Sequence, residues 1–270
     1  MEIISFHTHT ERCGHAVGRV RDYLAAAHRA GIRAIGISDH APEPTDSHSS
    51  RMPFAHLPEY MDEVRSAARE FPDMEVLLGA EIERFSGFGL EDIRRIYVRE
   101  HAFDYRLGSV HPFLAPCESV DSEEGVLAIV QRMVRENIEM IESGMFVCMA
   151  HPDMFGCISD VWRPEYSVLT RRLMTAALEC GVFLEFNAYG LRKPKKSTSA
   201  GFRWQYPQLP FWAIAAEMNV PTVIGMDAHT PEDTASNWEE AASLLAGLGI
   251  RPANGAMLDV IRKGKDSRSK

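Results

Sequence analysis

The stretch Ile3-Ile4-Ser5-Phe6-His7-Thr8-His9 joins a short apolar run to two histidines that are separated by one residue. The run Ile3–Phe6 has the composition of a buried strand, and its apolar character stops at His7. Since alternate residues of a strand face the same side, His7 and His9 present both imidazoles to one point, as chelation of a metal ion requires. One such pair is weak evidence for a metal site, so the ends of the other strands have to be compared with it.

Six further apolar runs predict strands, and amphipathic segments predict helices between them. The later strands are predicted at Ala34–Ser38, Glu75–Ala80, Tyr105–Val110, Phe146–Ala150, Val182–Phe186 and Thr222–Met226. The helices are predicted at Val20–Ala30, Pro58–Phe71, Leu90–His101, Glu123–Ser143, Tyr166–Cys180, Phe211–Asn219 and Pro231–Leu248. Repeated strand–helix units require a parallel sheet with helices outside it. Seven units predict an α/β fold, a TIM-like (β/α)7 barrel that forms a single domain over residues 1–270, with an open doubly wound sheet as the alternative.

Potential metal ligands follow six of the seven predicted strands at their C-terminal ends. These residues are His7, His9, Asp39, His40, Glu81, His111, His151, Asp227 and His229, and His15 lies in the turn after the first strand. The remaining strand ends in Asn187, with Arg192 shortly after it. In a parallel barrel these strand ends meet on one face, where active sites are built. We therefore predict a cluster of imidazoles and carboxylates at one mouth of the barrel.

The types of ligand in this cluster indicate its chemistry. Imidazoles and carboxylates without thiolate fit zinc, manganese or iron, and they do not fit a cysteine-rich structural zinc site. Because the ligands are too many for one tetrahedral ion, we expect two or three divalent ions that share a bridging carboxylate. Phosphate-monoester hydrolysis needs accelerations of up to ~10²¹-fold, whereas general acid–base catalysis supplies about 10²–10⁴-fold. Metal ions that activate water and neutralise phosphoryl oxygens act on the required scale.

The composition indicates an acidic globular protein and limits its partners. The chain has 29 Lys and Arg against 38 Asp and Glu in 270 residues, a net charge of −9. This balance argues against nucleic acid or an anionic membrane surface as the main partner, although a local site can still bind an anionic metabolite. No apolar run reaches the eighteen or so residues that predict a membrane span. Five cysteines without a CxxC pair favour a reducing compartment, so we expect a cytoplasmic protein.

Seven ordered blocks of the sequence resemble the polymerase-and-histidinol-phosphatase (PHP) superfamily, and most closely its histidinol-phosphatase group. The blocks are FHTHTERCGHA (6–16), GISDHAP (36–42), GAEIE (79–83), DYRLGSVH (104–111), AHPD (150–153), LEFNAYGLRKP (184–194) and GMDAHTPED (225–233). The resemblance implies a distorted (β/α)7 barrel with a trinuclear metal centre. It also implies a metal-dependent phosphomonoesterase whose substrate is a small phosphorylated metabolite, with L-histidinol phosphate first among them.

The resemblance further implies a role for each candidate residue. The first ion would be held by His7, His9, Glu81 and Asp227; the second by Glu81, His111 and His151; and the third by His15, His40 and His229. Asp39 and Asp153 would orient imidazoles. Arg192 would grip the substrate phosphate, with Asn187 as a second substrate-binding residue. The catalytic set would then be Glu81, Asp227, His229 and Arg192.

Three other functions are compatible with parts of this pattern. A phosphodiesterase, or a hydrolase of cyclic phosphates or nucleic-acid ends, can use the same trinuclear centre and is the main alternative. An amidohydrolase-like enzyme shares the histidine pair on the first strand, but such enzymes bridge their ions with a lysine where this chain has Glu81. A metal store or a degenerate scaffold would be expected to have lost ligands, and none is missing.

Overall fold

Ten strands and nine α-helices alternate in the part of the chain that the computed structural model describes, residues 3–46, 50–85, 87–112, 122–199 and 201–268. The strands are β1 Ile4–Ser5, β2 Ala34–Ile37, β3 Glu75–Leu78, β4 Glu81–Glu83, β5 Leu107–Ser109, β6 Cys148–Met149, β7 Phe183–Asn187, β8 Lys196–Thr198, β9 Gly201–Arg203 and β10 Thr222–Gly225. The helices are α1 Val20–Arg29, α2 Leu57–Ala68, α3 Leu90–Arg94, α4 Glu123–Glu142, α5 Pro164–Cys180, α6 Tyr189–Arg192, α7 Leu209–Glu217, α8 Trp238–Gly247 and α9 Asn254–Arg268.

Two parallel sheets, in the orders β1-β2-β3 and β4-β5-β6-β7-β10, join edge to edge into a closed barrel. One junction is the bridge between Thr8 and Ala228, where the backbone N–H of His9 donates to the carbonyl of Ala228 at 2.9 Å. The other is the bridge between His40 and Glu81. Because β3 and β4 are two parts of one barrel strand, and β8 and β9 form a separate hairpin, the described residues form a barrel of seven strands. This confirms the predicted (β/α)7 barrel and excludes the open sheet.

The third strand of the barrel is interrupted directly before the candidate ligand Glu81. The sequence predicted one strand over Glu75–Ala80, but β3 ends at Leu78 and β4 begins at Glu81. Gly79 lies against the Tyr105 ring, and a Cβ on this glycine would lie 2.3 Å from a ring carbon. Periodicity did not predict the break, because it depends on this distant aromatic ring.

The hydrophobic core inside the barrel is separate from the larger core formed with the surrounding helices. The helix α9 closes the end of the barrel opposite the predicted site. Met257, Leu258 and Ile261 of α9 are buried against barrel residues that include Ile4 and Tyr105. The Asn254 side chain donates to the carbonyl of Ile4 at 2.8 Å and so fastens the helix to the barrel.

The sequence predicted no helix in the basic C-terminal segment, but the described residues of this segment form the packed helix α9. Arg262 binds Glu75 at 2.6 Å and Lys265 binds Asp104 at 2.9 Å. The apolar residues at helical spacing in α9 were the signal for a packed helix, and the charges among them obscured it.

Other boundaries differ from those predicted by sequence periodicity. The predicted helix Pro231–Leu248 is a 3₁₀ turn at Pro231–Thr234 followed by α8, and the predicted helix Leu90–His101 continues past α3 as a π-helix at Arg95–Glu100. The hairpin of β8 and β9 was not predicted. None of the described helices has the length and apolar character that crossing a membrane requires. The cytoplasmic location stays a prediction.

Candidate metal centre

The predicted ligands come together at the C-terminal ends of the strands around one cavity of about 330 Å³. The candidate ligands that line it are His9, His15, His40, Glu81, His111, His151, Asp227 and His229. His7 is fully buried and lies behind them, 3.4 Å from Glu81. The structure thus brings together all nine residues that the sequence predicted as metal ligands.

The atoms of the first predicted group have the spacing of a metal coordination shell. Oε2 of Glu81 lies 3.4 Å from Nε2 of His7 and 3.5 Å from Nε2 of His9. Oδ1 of Asp227 lies 3.6 Å and 3.1 Å from the same two nitrogens. Ligands at 2.0–2.1 Å from a tetrahedral ion lie roughly 3.4 Å apart. The four side chains therefore surround a point that fits one divalent ion.

Several of these buried atoms lie close to one another, but none of them makes a hydrogen bond of good geometry with the described residues. They are Nε2 of His7, Nδ1 of His9, Nδ1 of His40, Oε2 of Glu81 and Oδ1 of Asp227. Leaving a buried polar atom unsatisfied costs about 1–3 kcal/mol. Bound cations would satisfy the oxygens and the unprotonated nitrogens together, so the donor set fits the divalent ions that the sequence predicted.

Glu81 is placed to bridge two ion sites. Its Oε1 lies 2.9 Å from Nε2 of His151, whereas its Oε2 faces His7, His9 and, at 2.9 Å, Nδ1 of His40. Burial by itself would raise the pKa of this carboxyl, but the charges of His40 and His7 hold the pKa well below its usual range. Glu81 is therefore an anion that reaches two sides of the cluster.

The third predicted group lies at the outer edge of the cluster. The ring centroid of His15 is 5.3 Å from that of His40 and 5.0 Å from that of His229. Burial, together with the charge of His9, lowers the pKa of His229 to about 4, so its imidazole is neutral and able to bind a metal ion. The Tyr189 ring stacks on His229 with the centroids 4.7 Å apart.

Cys13 is a potential ligand that the sequence interpretation left out. Its Sγ lies within 4.8 Å of ligand atoms of both His15 and His229. Burial raises the pKa of the thiol to about 12, which keeps it protonated in the metal-free protein. The sequence block that contains Cys13 was recognised, but only its histidines were considered as ligands.

Two buried carboxylates that the sequence interpretation missed support the histidines. Oε1 of Glu185 lies 2.8 Å from Nδ1 of His7, and its Oε2 accepts the backbone N–H of His151 at 3.0 Å. Glu83 lies 3.1 Å from Nδ1 of His111. An acidic residue inside an apolar strand, as in the block LEFN, was the available signal.

Glu83 also connects the cluster to the long loop after β2. Nη2 of Arg51 lies 2.5 Å from Oε2 of Glu83, and both side chains are buried. The guanidinium carbon of Arg51 lies 5.3 Å from the centroid of the Phe85 ring. The positive charges of His111 and Arg51 keep the pKa of Glu83 well below its usual range, although burial opposes this effect.

The two aspartates predicted to orient imidazoles behave differently. Oδ1 of Asp39 lies 3.6 Å from Nδ1 of His9, close to the predicted arrangement. Asp153 instead accepts the indole N–H of Trp212 at 2.9 Å and the backbone N–H of Gln208 at 2.5 Å. Among the described residues it has no imidazole partner, because its side chain faces the start of α7. Asp153 thus anchors α7 rather than a ligand.

Arg192 lies beside the cluster, and its guanidinium is bound to the turn that carries Asp227. Its Nη2 donates to the carbonyl of Met226 at 2.8 Å and to that of Asp227 at 3.2 Å, and its Nε lies 3.3 Å from Asp233. Asp227 has φ of 47°, a left-handed backbone that costs a non-glycine residue of order 1 kcal/mol. Arg192 therefore stabilises a strained ligand, and its predicted grip on the phosphate stays a prediction.

Asn187 is fully buried and does not line the cavity. Its Nδ2 donates to Glu185 at 2.9 Å and to Asp227 at 3.0 Å, and its Oδ1 accepts the backbone N–H of Tyr189 at 2.9 Å. This geometry supports an orienting role for Asn187, and a direct substrate contact stays a prediction.

Comparisons with known proteins agree with this geometry. A family model described as PHP domain matches residues 5–189. A protein of Deinococcus radiodurans named as a probable histidinol-phosphatase is 30% identical over 258 residues, which cover 91% of this chain and 93% of that protein.

Two crystal structures share the fold. A protein from Listeria monocytogenes assigned as a histidinol phosphatase has a TM-score of 0.74 at 21% identity, covering 88% of this chain and 99% of that one. A histidinol phosphate phosphatase from Lactococcus lactis, in complex with zinc, L-histidinol and phosphate, has a TM-score of 0.67 at 15% identity, with 92% and 94% covered.

Proposed function

Because the chain belongs to the PHP domain family, we propose that it is a metal-dependent phosphatase that hydrolyses a small phosphate monoester, with L-histidinol phosphate as the leading substrate. The observation that carries the proposal is the single cavity that eight candidate ligands line. The names of the Deinococcus radiodurans relative and of the Lactococcus lactis structure support the choice of substrate.

Three groups of residues are proposed to hold the ions. They are the groups that the sequence resemblance implies: His7, His9, Glu81 and Asp227; Glu81, His111 and His151; and His15, His40 and His229. The distances of 3.1–3.6 Å within the first group are the strongest support, since one ion would satisfy all four side chains. The ions of such a centre supply a nucleophile from water at neutral pH and neutralise phosphoryl oxygens.

The protein's own groups hold this centre in one arrangement. Glu185 accepts a hydrogen bond from Nδ1 of His7, which directs Nε2 at Glu81 and Asp227. Arg192 stabilises the backbone turn that carries Asp227. Since the net charge of the chain is −9, the ions also explain how an acidic protein attracts a phosphate dianion.

The proposal is tested by measuring phosphate release after stripping the protein and reloading it with zinc, manganese or iron. The panel contains L-histidinol phosphate, other alkyl and sugar phosphates, p-nitrophenyl phosphate, bis-p-nitrophenyl phosphate and single-stranded DNA. We expect monoesters to be hydrolysed, with the highest kcat/KM for L-histidinol phosphate. A preference for the diester or for DNA would support the diesterase instead, and a lack of phosphate release from every monoester would contradict the proposal.

Glu81→Gln tests the bridging role within the same assay. The amide keeps the shape of the side chain and removes its charge, so we expect the loss of about two ions per chain and of turnover. A variant that keeps its full metal content and rate would contradict the bridging assignment.

A further inference from the structure

The segment between Tyr189 and Tyr206 supplies a second part of the cavity wall, with Lys193 and Gln205 between these two tyrosines. Lys193 is the only lysine or arginine among the described residues that line the cavity. A cavity of about 330 Å³ is of the size that takes a small metabolite. The Lys193 ammonium therefore belongs to the same small cavity as the candidate metal ligands.

Lys193 follows Arg192 in the chain, but the two cations differ in what they contact. The Arg192 guanidinium is held by the carbonyl of Met226, by Ser236 and by Asp233. The Lys193 ammonium, within the described part of the chain, has no hydrogen-bond or ion-pair partner and lies against two aromatic rings. Its three N–H donors are therefore available to a ligand.

Two tyrosines hold the Lys193 ammonium beside the metal centre. Its Nζ lies 4.6 Å from the centroid of the Tyr189 ring and 5.3 Å from that of the Tyr206 ring, within the range of cation–π attraction. Tyr189 stacks on His229, and the Tyr206 ring lies 6.4 Å from the ring of His151. The ammonium is thus placed near candidate ligands of two different ions.

Tyr206, which lines the same cavity, offers a further unpaired donor. The residue is 0% exposed, and its Oη has no hydrogen-bond partner in the described chain. A buried hydroxyl without a partner is costly, and a ligand oxygen that accepts its proton removes the cost. Burial raises the pKa of Tyr206 well above its usual range, so the group stays a neutral donor.

We propose that the Lys193 ammonium and the Tyr206 hydroxyl bind the phosphate group of the substrate. The inference rests on the proposed function, because it requires a phosphate monoester in the cavity. A phosphate oxygen offers the ammonium a charge-assisted hydrogen bond, which is stronger than its contacts with the two rings. Lys193 then has the role that the sequence resemblance gave to Arg192, whose donors support the turn at Asp227.

The test compares Lys193→Gln with the matched control Lys195→Gln in the metal-loaded protein. Lys195 has a similar cation–π contact, 4.6 Å from the Trp204 ring, but it is exposed and does not line the cavity. The measurements are KM and kcat for a monoester, the inhibition constant of inorganic phosphate, and the metal content per chain. Lys193→Arg and Tyr206→Phe complete the set.

For Lys193→Gln we expect KM and the phosphate inhibition constant to rise together by roughly 10- to 100-fold, with unchanged metal content. Lys193→Arg should recover part of the loss, Tyr206→Phe should weaken phosphate binding by a smaller factor, and Lys195→Gln should match the wild-type protein. An unchanged inhibition constant in Lys193→Gln would overturn the inference. So would a fall in kcat confined to alkyl esters, which would make Lys193 a proton donor to the leaving group.

The two proposals fail in different ways. If the wild-type protein hydrolyses monoesters and Lys193→Gln binds phosphate normally, only the inference is wrong. If no monoester is hydrolysed, calorimetric binding of inorganic phosphate to the metal-loaded wild-type and Lys193→Gln proteins still tests Lys193: equal affinities would overturn the inference, and weaker binding by the variant would support it.

Discussion

Nδ1 of His7 lies 2.8 Å from Oε1 of Glu185, although 178 residues separate them in the chain. Because Nδ1 of His7 is hydrogen-bonded to Glu185, Nε2 is the nitrogen that faces Glu81 and Asp227 and is left to bind an ion in place of its proton. The second oxygen of Glu185 accepts the backbone N–H of His151. One buried carboxylate therefore orients ligands of two proposed ion sites.

Glu185→Gln should weaken metal binding by about 10- to 100-fold, because the amide supports the His7 imidazole without a charge. Competition with a chromophoric chelator measures the affinity. Glu217→Gln is the matched control, since Glu217 is an exposed partner of Arg171 far from the cavity. Equal affinities in Glu185→Gln and the wild-type protein would show that His7 does not need this carboxylate.

Gly225→Ala should displace the carboxylate of Glu185. A Cβ at Gly225 would lie 1.6 Å from Oε1 of Glu185, so the side chain has to move. We expect the free energy of unfolding to fall by about 1–3 kcal/mol and metal affinity to fall with it.

Gly255→Ala is the control for this substitution. A Cβ at Gly255 in α9 meets nothing within 4 Å, so this variant should gain about 0.5–1 kcal/mol. Urea unfolding of both variants measures the difference. A Gly225→Ala protein of wild-type stability and metal affinity would show that Glu185 is not held tightly.

Arg51→Leu should destabilise the metal-free protein by about 3–5 kcal/mol, because it removes a buried cation that lies 2.5 Å from the buried carboxylate of Glu83. Arg262→Leu removes a half-exposed partner of Glu75 and should leave the free energy of unfolding almost unchanged, because solvent screens this pair. Urea unfolding in the presence of a chelator compares the two. Similar losses in both variants would contradict a special role for the buried pair.

Metal uptake should release a proton from His9. Burial lowers the pKa of this imidazole, but its interactions with the carboxylates of Asp227 and Asp39 together outweigh burial and raise the pKa to about 9. Below that pH the ion has to displace the proton, so metal affinity should rise with pH and level off above about 9.

Titration calorimetry in two buffers of different ionisation enthalpy counts the protons released at neutral pH. The wild-type protein should release more protons than His9→Gln. Metal affinity that does not change between pH 6 and pH 9 would contradict this account of His9.

The barrel could be predicted because each of its strands is an apolar run that ends in a polar residue. The break between Leu78 and Glu81 could not be predicted, because there the chain packs against the ring of Tyr105, which lies just before β5. The helix α9 was missed because its charged residues hide Met257, Leu258 and Ile261, which pack against the barrel interior.

The candidate ligands could be predicted because parallel strands bring their C-terminal ends to one face. The groups that support them could not, since Glu185 and His7 meet only in the folded chain. The choice between Arg192 and Lys193 shows the same limit. The two residues are adjacent in the chain, and the sequence does not show which of them can bind the phosphate. Only the contacts of Arg192 with the turn at Asp227 show that Lys193 is the cation that remains available to a ligand.

The most direct test is an anomalous-scattering map of crystals grown with zinc or manganese, recorded at the absorption edge of the metal. We predict a peak about 2.0–2.2 Å from ligand atoms of His7, His9, Glu81 and Asp227, with one or two further peaks around the same cavity. A map with no peak between these four side chains, from protein that binds the metal in solution, would contradict the metal centre.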